Sequence, residues 1–588
     1  MRRSSSLPLR TNNAARTPPW GVSLRLASSW MRDVPIMLGG LALFYGLLSF
    51  ARYGIGPMNA GADIDLSIGA LPKYAMFSVV RLSVAYVISL GFTLVYGYVA
   101  AYNARAERFL IPLLDTLQSI PVLSFLPGVM LAMVALFPNR QLGVELGSIL
   151  LIFTGQVWNM TFSFYASLKN IPEEMRETAQ VYGFSWWQRF VQMELPYASI
   201  GLIWNSMMSM AGGWFFLMAC EMFVLGNRDL RLPGLGSYLQ TAANAGDTKA
   251  IACGLTVMIG VIVLIDQLIW RPVIAWGARF KFEQVEAAET PRSPILEWLR
   301  RSRLLKALGQ RSVAPAREKL DLHFARKHER SAKLATSGPA ALWAARLLSV
   351  AALIGIVYAT AKMIIMLSGL SRIEVTSIVR GAGATFLRVE VTLLLAALWT
   401  IPVGIFIGLR PRASAVLQPI AQIAASVPAT ALFPVILLIL IRLGGGLGIG
   451  SIVLLLLGTQ WYLLFNVIAG ASSIPTDLKE VCTVFHFGKA EQWQKLLLPG
   501  IFPYLITGFV TASGGAWNAS IVAEYFHFKG QTLSTTGLGS VISHATDSGN
   551  FRLLLAATIV MALMVVTINR VLWRRMYALA ATRYKLDT

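Results

Sequence analysis

The chain has 588 residues, 55% of them apolar and only 14% charged, with a mean hydropathy of +0.60. That composition excludes a soluble enzyme and describes a polytopic membrane protein, whose apolar helices need about 20 residues each to cross a bilayer. The net charge of +22 does not make it a nucleic-acid binder, because the basic residues collect between apolar runs instead of forming a stripe interleaved with aromatics.

Residues 1–34 are rich in Arg and Ser and nearly free of acid, a composition shared with organelle transit peptides. The apolar stretch at about 36–50 comes with no small-residue cleavage site, so the segment reads as a basic cytoplasmic tail followed by a first spanning helix or signal anchor. Further apolar spans are expected at about 77–101, 112–137, 146–168, 198–224 and 250–270. Six spans from a cytoplasmic N-terminus put Arg105, Arg108 and everything after Arg271 inside, where Lys and Arg accumulate.

Between the fourth and fifth of these spans lies IPEEMRETAQVYGFSWWQRFVQMELP, residues 171–196. Glu173, Glu174, Arg176, Glu177 and Arg189 keep it out of hydrocarbon, while Met175, Ala179, Tyr182 and Trp186/Trp187 recur at helical spacing. It reads as a short helix along the membrane surface, a turn at Gly183 and a second helix ending at Pro196. Pro172 suits the first helical position, and the acids that follow suit the positive helix end.

Residues 271–340 carry 15 Lys/Arg against 7 Asp/Glu and one short amphipathic piece, residues 295–308. They read as a cytoplasmic linker whose basic helix would also meet anionic lipid headgroups. Spans then recur at about 341–367, 384–409, 415–441, 450–472, 500–523 and 552–572, followed by Arg574, Arg575, Arg583 and Lys585. The expected organisation is a tail at 1–34, domains at 35–272 and 341–575, a linker at 273–340 and a second tail at 576–588.

The two domains are copies. At an offset of 307, Arg81 answers Arg388, Ser119-Ile120-Pro121 answers Ser426-Val427-Pro428, and Pro127 answers Pro434. At an offset of 303, Trp158 answers Trp461, Pro172 answers Pro475, Pro196 answers Pro499, Trp214 answers Trp517, and Glu221 answers Glu524. The surface loop recurs as IPTDLKEVCTVFHFGKAEQWQKLLLP, residues 474–499. An even number of spans per copy makes the halves parallel, related by a pseudo-twofold axis along the membrane normal. The fold class is therefore all-α, with about 12 transmembrane helices in two such halves.

Cys220, Cys253 and Cys482 lack metal-ligand or redox spacing, the five histidines form no ligand pair, and no phosphate-binding Gly-rich loop occurs. No catalytic, metal or cofactor site is expected in this chain. Arg81 and Arg388, one turn into the second span of each half, either face the axis to attract an anion or pair with Glu221 and Glu524 at the same depth. Ser119 and Ser426 before their prolines, and Trp214 and Trp517, complete the candidate pathway residues; helix packing is the other reading for the Ser-x-Pro motifs, and interfacial anchoring is the other reading for the two tryptophans as gate lids.

Glu177-Thr178-Ala179, Gly183 and Met193-Glu194-Leu195-Pro196 resemble the EAA loop of bacterial ABC importer permeases. In the second copy Glu480 and Leu498-Pro499 remain, but Val481-Cys482 replace the small pair and His486 stands in the glycine position. Together with Gly-Gly-(Ala)-Trp, the Glu seven residues later and Gly-Leu-Gly-Ser, the pattern is similar to nitrate/sulfonate/taurine-type permeases in a duplicated form. The resemblance implies a type I ABC importer in the bacterial inner membrane, both termini cytoplasmic. Two ATPase subunits carrying ATP and Mg would lie below and a periplasmic solute-binding protein above. It further implies coupling through Glu177, Ala179, Gly183, Leu195, Pro196, Glu480, Cys482, His486, Leu498 and Pro499, and a small anion such as nitrate, a sulfonate or an organic acid as cargo. The rival is an ion-coupled secondary transporter, which also has two parallel six-helix halves but usually carries a Gly-x3-Asp-Arg loop after its second helix; residues 103–108 lack it.

Overall fold

A computed structural model describes residues 20–57, 63–138, 140–225, 228–280, 293–315, 318–319, 339–442, 444, 446–528 and 531–583. Residues 1–19 of the expected 1–34 tail and much of the 273–340 linker lie outside those residues, and α1 takes up the rest of the tail. The first half contains α1 (Trp20–Ile55), α2 (Leu71–Tyr102), α3 (Ala104–Ser119), α4 (Leu126–Leu136), α5 (Gln141–Lys169), α6 (Glu173–Val181), α7 (Trp186–Arg189), α8 (Leu195–Glu221), α9 (Leu235–Ala245) and α10 (Thr248–Ile265). The second repeats them as α11 (Pro339–Leu367), α12 (Arg372–Leu409), α13 (Pro411–Ser426), α14 (Ala429–Arg442), α15 (Leu447–Ser473), α16 (Thr476–Val484), α17 (Lys489–Gln492), α18 (Leu498–Ala523), α19 (Leu538–Asp547) and α20 (Phe551–Ile568). A two-stranded antiparallel hairpin follows α8, pairing Val224 with Asp229, and another follows α18, pairing Tyr525 with Ser534.

Among the described residues eight helices are long and apolar enough to cross a membrane, and two bent pairs raise that number to ten. The other two expected spans, 146–168 and 341–367, fall on α5 and α11. The bent pairs refine the expected third span of each half, which is two helices meeting at 84° in the first copy and 78° in the second. The cause is in the sequence: Ile120 and Val427 precede prolines and are driven out of the helical region, to ψ 128° and 118°.

These breaks let the halves interlock. α14 packs on α8 and α9 of the first half, while the turn at Val122–Phe125 packs on α18 and α3 packs on α20 of the second. The Gln422 side chain of α13 reaches Met207 of α8, with Nε2 2.9 Å from Sδ. One continuous apolar core therefore takes residues from both copies, among them Leu82, Met130, Trp214, Phe433, Leu455 and Trp517.

α8 and α18 each begin in a π-helical turn, Phe190–Glu194 and Trp493–Leu497. Pro196 and Pro499 follow one residue later, and the helix expected to end at Pro196 runs on through it; a proline can neither donate to nor fit against the preceding turn of a regular helix. The wider turn accommodates it.

Candidate functional site

The two surface loops are folded alike. α6 starts after Pro172 with Glu173 and Glu174 in its first turn, and α16 starts after Pro475. Arg176 donates from Nη2 to the carbonyls of Leu168 (2.9 Å) and Lys169 (3.3 Å), fixing α6 to the end of α5. α7 is capped by Ser185, whose hydroxyl accepts from the Gln188 amide while the Gln188 side chain accepts from Ser185 N–H.

Ala179 and Cys482 occupy the same buried place on the inner face of the two helices, while Glu177 and Glu480 are exposed on the outer. Leu195 and Pro196 are half-buried at the start of α8, and Leu498 is exposed beside half-buried Pro499. At the end of α6 the exposed Val181 and Tyr182 form an apolar knob, which Val484 and Phe485 reproduce at the end of α16.

Each surface helix ends in the same left-handed turn. Gly183 has φ +62° and His486 has φ +51°, the one positive φ among the described non-glycine residues. In both, the following amide reaches back to the last turn: Phe184 N–H to Ala179 O and Phe487 N–H to Cys482 O, each 2.9 Å. Glycine takes this conformation without strain, whereas an L-residue there is strained by about 1 kcal/mol. His486→Gly is expected to stabilise the second loop by roughly that amount. Slower hydrogen exchange at amides 479–487 would show it, and unchanged or faster exchange would refute it.

The loops differ in their anchors. In the first, Arg189 Nε lies 2.7 Å from Glu194 Oε1, which also accepts from the Tyr102 hydroxyl at 2.7 Å, and Arg189 donates to Tyr98. At the positions of Glu194, Tyr102 and Tyr98 the second loop has Leu497, Leu409 and Ile405, packed with Trp493 in an apolar cluster, and Gln492 stands in place of Arg189. Sequence reading missed the polar anchor, although a Glu beside a spanning segment is a signal for it.

At the opposite end of α8 and α18 sit two buried ionic clusters. Arg81 is fully buried; its Nε and Nη2 bond to the two Glu145 oxygens at 2.7 Å, and its Nη1 bonds to Glu221 (2.8 Å) and the Pro233 carbonyl (2.9 Å). Glu221 also accepts from the Ser78 hydroxyl at 2.7 Å and the Gly236 amide at 2.8 Å. In the second half Arg388 pairs with Glu524, which accepts from Thr385 and the Gly539 amide. Gly234 and Gly537 lie so near these carboxylates that any side chain there would collide with them.

Glu145 has Gly448 as its counterpart, so the second cluster has one carboxylate fewer and the Arg388 side chain is 10% exposed. Glu145 was not anticipated, although an acid opening an apolar helix was its signal. The expectation that Arg81, Arg388, Glu221 and Glu524 line a pathway meets this arrangement: each guanidinium is taken up by carboxylates of its own half, and none of the four lines a described cavity.

Two cavities lie in series along α8. The one at the hairpin end, called the outer cavity for its distance from the surface loops, about 510 Å³, is lined from both halves by repeat-related pairs: Met222 with Tyr525, Phe223 with Phe526, and Asn244 with Asp547. That pairing sets it on the pseudo-twofold axis. Arg231 there forms a fork with Asp229, and the Tyr525 hydroxyl donates to Asp547 at 2.6 Å. Burial works against the Asp229 charge, but the bonds from Arg231 outweigh it and hold its carboxyl below the usual range. Burial and the Asp547 bond both push the Tyr525 phenol up.

The inner cavity, about 570 Å³, lies between α8 and the end of α10 on one side and α13 and α15 on the other. Trp214 is on its wall; Trp517 is fully buried and off it. The side chains of Ser119 and Ser426 lie outside the described residues. No cluster of metal-binding side chains occurs among the described residues.

The family described as binding-protein-dependent transport system inner membrane component matches the chain twice, over residues 93–268 and 400–583. The nitrate import permease protein NrtB of Leptolyngbya laminosa is 29% identical over 187 residues, which is 32% of this chain and 63% of that protein. The bicarbonate transport system permease protein CmpB of Synechococcus elongatus is 30% identical over 24% of this chain and 49% of its own. The taurine transport system permease protein TauC of Escherichia coli is 27% identical over 28% of this chain and 56% of its own. The chain thus spans 49% to 63% of the length of these relatives.

Proposed function

This chain belongs to the family of binding-protein-dependent transport system inner membrane components, present twice in one polypeptide, and from that premise we propose that it supplies both halves of the membrane pathway of an ABC importer, with domains at 35–272 and 341–575. The observation that carries this reading is the pair of matched surface helices, α6 and α16, each with an exposed Val-aromatic knob just before a left-handed turn. Two cytoplasmic ATPase subunits dock there, holding ATP and Mg themselves. A solute-binding protein meets the other membrane face near the two hairpins, in the bacterial inner membrane, with both termini of the chain cytoplasmic.

Closure of the ATPase pair draws α6 and α16 together. Because α8 and α18 continue from these loops to the outer cavity, that motion tilts the halves about their shared axis. ATP and the binding protein drive the change only by favouring different states. By their names the relatives move nitrate, bicarbonate and taurine, and from them only a small solute is carried over to this chain as its cargo. An ion-gradient carrier is the competing class.

Affinity capture of the tagged full chain from its native membranes is expected to bring down an ABC ATPase. Introducing Tyr182→Asp together with Phe485→Asp should abolish the capture. Uptake by the purified chain alone on an ion gradient, or capture unaffected by the double variant, would end this reading.

A further inference from the structure

If the chain is an importer permease, its cargo must pass the two cavities along α8, so their walls bear on what that cargo is. An oxyanion held in a water-poor passage needs a cation or a dense set of donors. The one basic residue on either described wall is Arg231, and its guanidinium is bonded to Asp229 (2.9 and 2.5 Å) and to the Thr241 hydroxyl (3.1 Å). The walls carry three acids against that one base, Asp229 and Asp547 in the outer cavity and Asp266, which lies 3.5 Å from Arg271, in the inner, so the described walls offer an anion no attraction. Arg81 and Arg388, the remaining candidates for anion attraction, are enclosed in their ionic clusters and face neither cavity.

The inner wall offers a different chemistry. Trp204, Trp214, Trp270 and Trp461 surround it with Tyr462 and Met207, while Gln418, Gln422 and Asn466 bring amides to the same space. Aromatic faces and a polarisable sulfur favour a flat π-system, and amides offer both donors and acceptors to a polar edge. The volume falls in the range of small-molecule pockets, which spans about 300–1,000 Å³. Tyr462 stands where the two halves meet: positions Gly212 and Gly515, equivalent in the repeat, both face its ring or hydroxyl.

We propose that the solute carried by this permease is an uncharged planar aromatic or heteroaromatic molecule with a hydrogen-bonding edge, received in the inner cavity. This rests on the importer reading given above. The amides orient the polar edge, the indoles stack on the ring, and the acidic outer cavity turns small oxyanions away.

The test is saturation-transfer difference NMR on the full chain in lipid nanodiscs, with benzamide as the probe. Taurine serves as a second observed compound and nitrate as a competitor. A saturable benzamide signal above that of empty nanodiscs is expected, with none from taurine and no displacement by nitrate. Gly212→Leu should cut the signal at least about fivefold by filling the cavity, since a Cβ there meets nothing nearer than the Tyr462 hydroxyl at 3.9 Å. Trp461→Ala should do the same by removing a stacking face. A benzamide signal no greater than in empty nanodiscs, one untouched by Gly212→Leu, displacement by nitrate, or a saturable taurine signal would each overturn the proposal. ATPase capture by the same variants is read alongside: its loss in the unsubstituted chain sinks the importer reading, whereas retained capture with a failed benzamide result sinks only the cargo assignment.

Discussion

Arg81→Met is expected to remove most of the folded protein from the membrane, while Arg388→Met leaves a weakened but assembled chain. The difference follows from the clusters. Without Arg81, Glu145 and Glu221 are left facing one another with no cation in a site closed to solvent. Breaking a buried ion pair by deleting one partner costs about 3–5 kcal/mol, because a desolvated charge is stranded. Here two carboxylates are stranded, so the cost lies at the upper end or beyond. Without Arg388 only Glu524 is stranded, and it keeps the hydroxyl of Thr385 and the amide of Gly539. The site also opens slightly to solvent, which lowers the penalty.

Membrane abundance and the thermal midpoint of purified protein in nanodiscs measure both variants. Glu145→Gln supplies the internal control, since it turns the first cluster into a one-carboxylate cluster like the second and should cost far less than Arg81→Met. Equal losses for Arg81→Met and Arg388→Met would show that Glu145 does not set the difference between the halves.

The second large effect concerns the loops. Gly183→Arg should lower ATP-driven uptake at least about tenfold while the protein stays in the membrane. Nothing lies within 4 Å of a Cβ at Gly183, so the substitution makes no clash and the transmembrane body should fold. What it meets is the backbone: at φ +62° a side chain is strained by about 1–2 kcal/mol. Relief of that strain re-aims the end of α6 and the Val181-Tyr182 knob. A bulky cation is added at the same spot, on the surface proposed to enter the ATPase cleft. Uptake and ATPase rate are measured together in proteoliposomes with the ATPase subunits. Full uptake by Gly183→Arg would count against docking through this turn. His486 marks the natural limit of tolerance, since the second loop holds a side chain in the same conformation.

Much of the molecule was legible without coordinates, and the reasons are local. A spanning helix is recorded in a contiguous apolar run, a surface helix in its own periodicity, and a duplication in matching residues at a fixed offset. The equivalence of Gly183 and His486 could be read off that offset, and the left-handed turn at both follows from it. The prolines at 121 and 428 also stood in plain view. That they split a span into two helices at 84° and 78°, instead of kinking it, depended on what lay across the break to receive it.

What only the tertiary structure decided depends on pairing across distance. Arg81 and Glu221 were candidate partners from their depth, but the second carboxylate, 64 positions away at Glu145, fixes the guanidinium on both edges and changes the cluster's charge. The replacement of Arg189, Glu194 and Tyr102 by a cluster around Leu497 and Leu409 is invisible until helices far apart in the chain are brought together. So are the cavities, whose walls come from both copies. A sequence states which residues prefer lipid, water or a turn. Which charge neutralises which, and which rings face a shared space, is settled only when α13 and α14 cross onto the opposite half, because electrostatics and packing act between neighbours in space.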